Sequence, residues 1–276
     1  MKESSRSGAY PTPIFDRGFF RLRRTIKQSN VLIISDLARA VESGIESILY
    51  HRSQLELYID RRPEYALSLK PLQVEEFAPE VVRMASSAAE AAQVGPMAAV
   101  PGVLAELALR NMVLEGALVS LVENGGEIAA TSTQPLVVGI YAGPSPLSGR
   151  IGFYLTSKDF PIGIATSSAT VSHALSFGEA DAAVVVANTS SLADAAATAV
   201  CNSVAGKDIE ASIQLGLERA ESIPGVRGAL VIRRNFAGTV GKLPRLIRLN
   251  GTKRELFKAG LQEPPPHEIA PIQSEF

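Results

Sequence analysis

The sequence predicts an α+β fold in which antiparallel or mixed β-sheets pack against helices. Three observations carry that expectation. Short β-rich segments follow one another from Ala117 onward, separated by the turn-forming runs Asn124-Gly125-Gly126 and Gly143-Pro144-Ser145-Pro146. Helical spacing of apolar residues recurs in separate stretches, and no repeat of fixed period is present. The 276 residues are 46% hydrophobic and 20% charged, a balance that provides a globular chain with a sizeable core.

Residues 1–18 read as a flexible or edge-lying arm, because Pro11 and Pro13 forbid a regular helix. From Phe19 to Ile34 the pattern predicts two strands, the second built on the buried run Val31-Leu32-Ile33-Ile34. Ser35-Asp36 is placed to cap the helix that follows, whose Leu37, Val41, Ile45, Ile48 and Leu49 fall on one face. That helix is expected to run to Ile59 and to stop before Pro63. A small-residue helix is predicted over 79–92, then a loop from Val94 to Gly102, then a helix over 103–114.

Strands are predicted at 118–122, 128–131, 136–141, 151–155, 162–166 and 182–187. A helix over 192–204 ending at Gly206, a second over 209–221 and a strand over 228–233 complete the core. The chain thus divides into an arm (1–18), a main domain (19–235) and a peripheral tail (236–276), basic at first and then Pro-rich.

Bulk properties narrow the function. A formal net charge of -1 offers no electrostatic reason to expect nucleic acid or an anionic membrane as partner. With no Trp and 6% aromatic residues, stacking platforms for bases are not expected. Cys201 is the only cysteine, so no internal disulfide can form, and a reducing, cytoplasmic setting is expected. In an apolar helix Cys201 reads as a packed small hydrophobe. The polar start Met1-Lys2-Glu3-Ser4-Ser5-Arg6 lacks the apolar stretch of a secretory signal, and no apolar run long enough to span a bilayer is expected. The sequence leaves the oligomeric state open, a homo-oligomer included.

No phosphate-binding P-loop, dinucleotide fingerprint or His-Glu-x-x-His motif is present. Three other segments carry polar chemistry. In Glu123-Asn124-Gly125-Gly126-Glu127 the glycines supply the positive φ of a tight hairpin; bare backbone would also let a ligand approach beside Asn124 and Glu127. In Ala193-Asp194-Ala195-Ala196-Ala197-Thr198, Asp194 and Thr198 lie one helical turn apart and could both face a Mg²⁺ ion. If Ser191 is the N-cap, Asp194 instead completes a capping box. In the hydroxyl-rich run from Ala165 to Asp181, Thr166, Ser167 and Ser168 could rim a cleft. His173 could act there as acid or base, or serve as a hydrogen-bonded structural histidine.

Taken in order, these segments resemble the ApbE-like superfamily, whose known enzymes transfer FMN from FAD to a protein threonine using Mg²⁺. Glu123-Asn124-Gly125-Gly126-Glu127, followed by Val137-Val138-Gly139-Ile140, is similar to the family's Asn-x-Gly-Gly-Asp turn and its next strand, and Ala165-Thr166-Ser167 to its Ala-Thr-Ser-Gly. Leu192-Ala193-Asp194-Ala195-Ala196-Ala197-Thr198 is similar to its metal helix, where the Asp and Thr bind the ion. By position, Val94 to Val100, with Met97 and Ala98, matches the loop that adds a backbone carbonyl. Together with Phe177-Gly178-Glu179-Ala180-Asp181-Ala182, these marks identify the chain as a member of a cytoplasmic branch of that superfamily without an assigned reaction. They span about 24–231.

The resemblance implies an ApbE-like cleft that binds a flavin-like, pterin or phosphorylated small molecule, with Mg²⁺ and FAD or FMN as expected cofactors. Cofactor biosynthesis linked to tetrahydromethanopterin-dependent one-carbon metabolism, or sulfur assimilation, would be its setting. Flavin transferases carry His-x-x-Asp-Pro-x-Thr-Gly before the metal helix; here His173-Ala174-Leu175-Ser176-Phe177-Gly178 keeps only the His. FAD-dependent FMN transfer is therefore the alternative, and a non-catalytic flavin carrier or assembly protein a third reading.

Overall fold

The computed structural model describes residues 12–170 and 178–249. Nine strands form one sheet and three form another, and every pairing between described strands is antiparallel. The large sheet opens with β1 (Ile14–Asp16), β2 (Phe19–Ile26) and β3 (Ser29–Ser35). It continues through β4 (Val119–Asn124) and β5 (Glu127–Ser132). Strands β6 (Leu136–Gly139) and β7 (Ile151–Leu155) leave to build the small sheet. The chain then returns through β8 (Ile162–Ser167), β9 (Ala182–Ala187), β10 (Val226–Arg233) and β11 (Phe236–Gly241). The last strand, β12 (Arg245–Arg248), pairs with β7, so the orders are β1-β2-β3-β4-β5-β8-β9-β10-β11 and β12-β7-β6.

The helices are α1 (Ala38–Arg61), α2 (Glu64–Leu67), α3 (Glu80–Ala92), α4 (Val100–Leu114), α5 (Ser190–Ser203) and α6 (Ile209–Glu221). They cover one face of the large sheet, burying Val31, Ile33, Val122, Ala165 and Val185. The small sheet covers the other face, where Phe153, Leu136 and Val138 meet Ile34, Leu121, Ile164 and Val184. Because side chains alternate along a strand, neighbouring residues of β3, β4 and β8 belong to different layers. The α+β expectation with antiparallel sheets is met.

Several local expectations need correction. Residues 14–16 form the first edge strand of the large sheet, so the described end of the arm lies along that edge. The chain after Asn235 does not leave the core at once: β11 closes the far edge of the large sheet and β12 closes the small one, both by backbone pairing that a basic, weakly apolar sequence does not advertise. Residues 250–276 lie outside the described residues. Asp36 does not cap α1; its carboxylate accepts from the backbone N–H groups of Leu118 and Val119, tying the helix entry to β4. The expected loop from Val94 to Gly102 is a 3₁₀ turn over Pro96–Ala99 that runs straight into α4. Taken together, Pro96–Leu114 is apolar and long enough to cross a membrane, contrary to the expectation that no such run exists. More than half of its window is buried inside the fold, among the other helices and the large sheet.

Helix α5 sits at the centre of the helical layer because its small residues let neighbours approach closely. A Cβ on Gly163 of β8 would lie 2.2 Å from the Thr189 carbonyl, and one on Gly102 of α4 would lie 2.3 Å from the Ser190 carbonyl. The first turn of α5 is wedged between those two glycines. Cys201 is fully buried in the same helix.

Candidate functional site

Two hairpin tips meet at one end of the large sheet. Lys27-Gln28 joins β2 to β3, and Gly125-Gly126 joins β4 to β5 with Asn124 paired to Glu127. The Gly125 N–H donates to the Asn30 carbonyl at 3.0 Å, locking the tips side by side. Gly125 and Gly126 have φ of +85° and +150°, values that a β-branched side chain resists. The tight-turn account of this segment is therefore correct, and it is compatible with a ligand passing over bare backbone.

A cavity of about 1030 Å³ surrounds these tips. Met97, Ala98, Asn124, Gly125, Gly126, Glu127, Thr166, Ser167, Ser168, Asp194 and Thr198 all border it, although they are spread over a hundred residues of chain. His173 lies outside the described residues.

Strand alternation divides the cavity in two. Asn124 and Glu127 share the helix-facing side of the sheet with Val122, and Ser167 shares it with Ala165. That half holds Asp194 and Thr198 from α5 and Met97 and Ala98 from the 3₁₀ turn. Glu123 and Thr166 have the opposite parity and face the small sheet, with Leu32, Ile128 and Val138. Gly125 and Gly126 mark the passage between the halves.

Hydrogen bonds fix the helix-side half. Asn124, 2% exposed, donates from Nδ2 to the Pro101 carbonyl at 3.1 Å. Asp194, also buried, accepts through Oδ2 from the Gly102 N–H at 2.8 Å, and Ser190 Oγ donates to the Gly102 carbonyl at 2.6 Å. The N-cap of α5 is Thr189, whose hydroxyl accepts from the Leu192 N–H. The capping-box reading of Asp194 thus fails on register: Asp194 satisfies a first-turn donor of α4, not of its own helix.

Two carboxylates crowd this half. Burial pushes the Glu127 carboxyl well above its ordinary range, and the Asp194 charge pushes it further. Burial likewise raises Asp194, opposed by the Gly102 hydrogen bond. Such a pair titrates as a unit and is relieved by a cation. Among the described residues no three His, Cys, Asp or Glu side chains cluster as metal ligands. Mg²⁺ nonetheless fits the donor chemistry, since it takes hard oxygen ligands and fills its shell with carbonyls, water and ligand phosphate. Asp194, Thr198 and Glu127 are the side chains that would hold it.

Other lining residues are not visible in any motif. Arg52 of α1 donates to Ser29 Oγ at 2.7 Å and Gln28 Oε1 at 2.8 Å, and Lys27 Nζ meets Glu56 at 2.6 Å. This network pins the β2–β3 tip to α1. Arg23 also lines the cavity and only strand register places it there, whereas Glu123, the first residue of the Glu123-to-Glu127 segment, lines it from β4.

The comparisons agree with this architecture. The Pseudomonas stutzeri flavinyl transferase ApbE, apo form, superposes with a TM-score of 0.53 at 14% identity, covering 80% of this chain and 94% of that one. The ApbE protein of Thermotoga maritima gives 0.52 at 14% identity, covering 77% and 94%. At that identity the likeness concerns the fold. A UPF0280 protein of Methanocaldococcus jannaschii is 41% identical over 243 residues, 87% of this chain and 98% of the relative. One from Methanothermobacter thermautotrophicus is 41% identical over 226 residues, 82% and 87%. The family model described as "AbpE bacteria" matches residues 14–220, and with that extent of agreement the chain belongs to this ApbE-like family, alongside the UPF0280 proteins.

Proposed function

We propose that the protein binds a phosphorylated flavin-type or pterin-type small molecule together with Mg²⁺, in the cavity around the Gly125-Gly126 tip. The observation that carries this reading is the convergence of Glu127, Asp194 and Thr198 on the helix-side half of that cavity. Buried carboxylates repel one another and cost stability unless a cation or a proton joins them. Glu127, Asp194 and Thr198 would hold the ion, which would neutralise the charge of a bound phosphate.

The chain's own residues have definable tasks. Asp194 keeps one oxygen on the Gly102 N–H, so its other oxygen is oriented for a ligand. Asn124 and Asp194 both grip the first turn of α4, which fixes the Met97–Ala98 segment against the cavity. The Gly-Gly tip admits a ligand long enough to occupy both halves. A volume of about 1030 Å³ stands at the upper end of the roughly 300–1,000 Å³ usual for small-molecule sites, room enough for a nucleotide-sized ligand. The ApbE relatives of the same fold are named as flavin transferases, which favours a flavin over other phosphorylated molecules.

Isothermal titration of the protein with FAD, FMN and riboflavin, each with MgCl₂ and with EDTA, tests this reading. The expected result is tighter binding of FMN or FAD than of riboflavin, and only with Mg²⁺. Equal affinities for all three with and without the metal would sink it. Incubation of the FAD complex with a threonine-containing acceptor domain separates carrier from transferase, since transfer breaks the FAD pyrophosphate, releases AMP and adds the mass of FMN less one water to the acceptor as a threonine phosphoester.

A further inference from the structure

We propose that Glu123 and Arg23 form a recognition pair for the amide-type edge of a planar heterocycle, a ring N–H beside a C=O, bound in the sheet-side half of the cavity. This inference rests on the reading above and assigns the half of the cavity that the metal residues do not reach.

Arg23, Leu32, Glu123, Ile128 and Ile164 occupy one row across β2, β3, β4, β5 and β8, each opposite the next in the strand register. Neighbouring strands lie about 4.8 Å apart, so Arg23 and Glu123 flank Leu32 on the same face. Leu32, Ile128 and Ile164 pack in the apolar layer between the two sheets, and Val138 of β6 borders the same space. The surroundings of Glu123 are thus an apolar wall with one guanidinium nearby.

No described residue hydrogen-bonds the Glu123 carboxylate, although it is only partly exposed. Burial raises its pKa, and the Arg23 charge opposes that rise. The Arg23 guanidinium likewise makes no hydrogen bond or ion pair with a described residue, unlike the two terminal nitrogens of Arg52 and Lys27 Nζ, which are engaged. An acceptor and a donor with unfilled hydrogen-bonding capacity, set over aliphatic side chains, are the complement of a flat ring with a polar edge. The carboxylate takes the ring N–H and the guanidinium gives to the adjacent carbonyl. Thr166, on the same face as Glu123, adds a hydroxyl to the rim. A ligand so held would reach past Gly125-Gly126 with its phosphate toward Asp194.

The test uses FMN, N3-methyl-FMN and pterin as probes on the full chain. A site built around a hydrogen bond rejects the analogue that lacks it, because the protein group is left unpaired. The wild type should bind FMN at least tenfold more tightly than N3-methyl-FMN. Glu123→Leu should lose at least tenfold for FMN and little for the methylated probe, while Glu123→Gln, which keeps an acceptor, should recover part of the loss. Arg23→Gln should weaken both probes alike. Because Leu fits an apolar wall, the melting temperature of Glu123→Leu should not fall, which separates binding from folding. Tighter binding of pterin than of FMN, with the same Glu123 dependence, would name the other ring bearing this edge. If FMN binds with Mg²⁺ but neither methylation nor Glu123→Leu matters, the recognition pair is wrong and the cavity reading stands. If the wild type binds neither FMN nor pterin, both fall.

Discussion

Asp194 Oδ2 accepts a hydrogen bond from the Gly102 backbone N–H at 2.8 Å, joining two helices whose residues lie 92 positions apart. Gly102 is in the first turn of α4, where a backbone N–H has no partner within its own helix. The carboxylate therefore does two jobs: it closes the end of one helix and lines the cavity from another.

Those jobs can be separated by substitution. Asp194→Asn keeps a carbonyl oxygen for Gly102 and removes the charge, so its melting temperature should match or exceed that of the wild type. Asp194→Ala leaves the buried N–H without a partner and should lose about 1–3 kcal/mol in chemical denaturation. Both should lose Mg²⁺-dependent FMN binding. Equal stability of the Asn and Ala variants would show that the Gly102 bond contributes nothing.

Gly102 and Gly126 are required for different reasons. A Cβ on Gly102 would meet the Ser190 carbonyl at 2.3 Å and Asp194 Cβ at 2.8 Å, so Gly102→Ala must push α4 from α5. Overpacking of this kind costs roughly 1–3 kcal/mol. A Cβ on Gly126 would find its nearest neighbour, the Thr166 carbonyl, at an ordinary 3.6 Å, so only the φ of +150° opposes a side chain. Gly126→Val should destabilise the hairpin, whereas Gly125→Asn, at φ +85°, should be tolerated because Asn enters the left-handed region readily. Thermal melts of the three variants check the order.

Stability should depend on pH through the paired carboxylates. Both have native pKa values above their unfolded ones, so the native state holds more protons than the unfolded chain. Stability of the metal-free protein then falls as pH rises from the ordinary carboxylate range through the raised values. Glu127→Gln should flatten that fall, and Mg²⁺ should stabilise the wild type more at alkaline than at acid pH. Urea titrations across the range measure both; an unchanged slope in Glu127→Gln would refute the coupling.

Thr198→Val removes a hydroxyl from the cavity wall at nearly constant volume. Its stability should stay close to that of the wild type while its affinity for Mg²⁺ with FMN falls several-fold, measured by titration with the metal.

Much of the local structure follows from neighbouring residues. The run Ala182–Ala187 is apolar throughout and is a strand over those residues, while Gly125-Gly126 permits the positive φ angles of the hairpin. Asp194 and Thr198 share a helix face because the α-helical period puts them there. Tertiary structure decided the rest. The partner of Asp194 is set by how α5 wedges against Gly102 and Gly163, and a capping box read from local spacing missed it. Strands β11 and β12 exist because open sheet edges accept them, not because their sequence is strongly apolar. Glu123 and Asn124 are adjacent in sequence but belong to opposite halves of the cavity, since side chains alternate along β4 and its register fixes which layer each one meets. Sequence alone names such residues; only packed layers on both faces of the sheet assign them to a side.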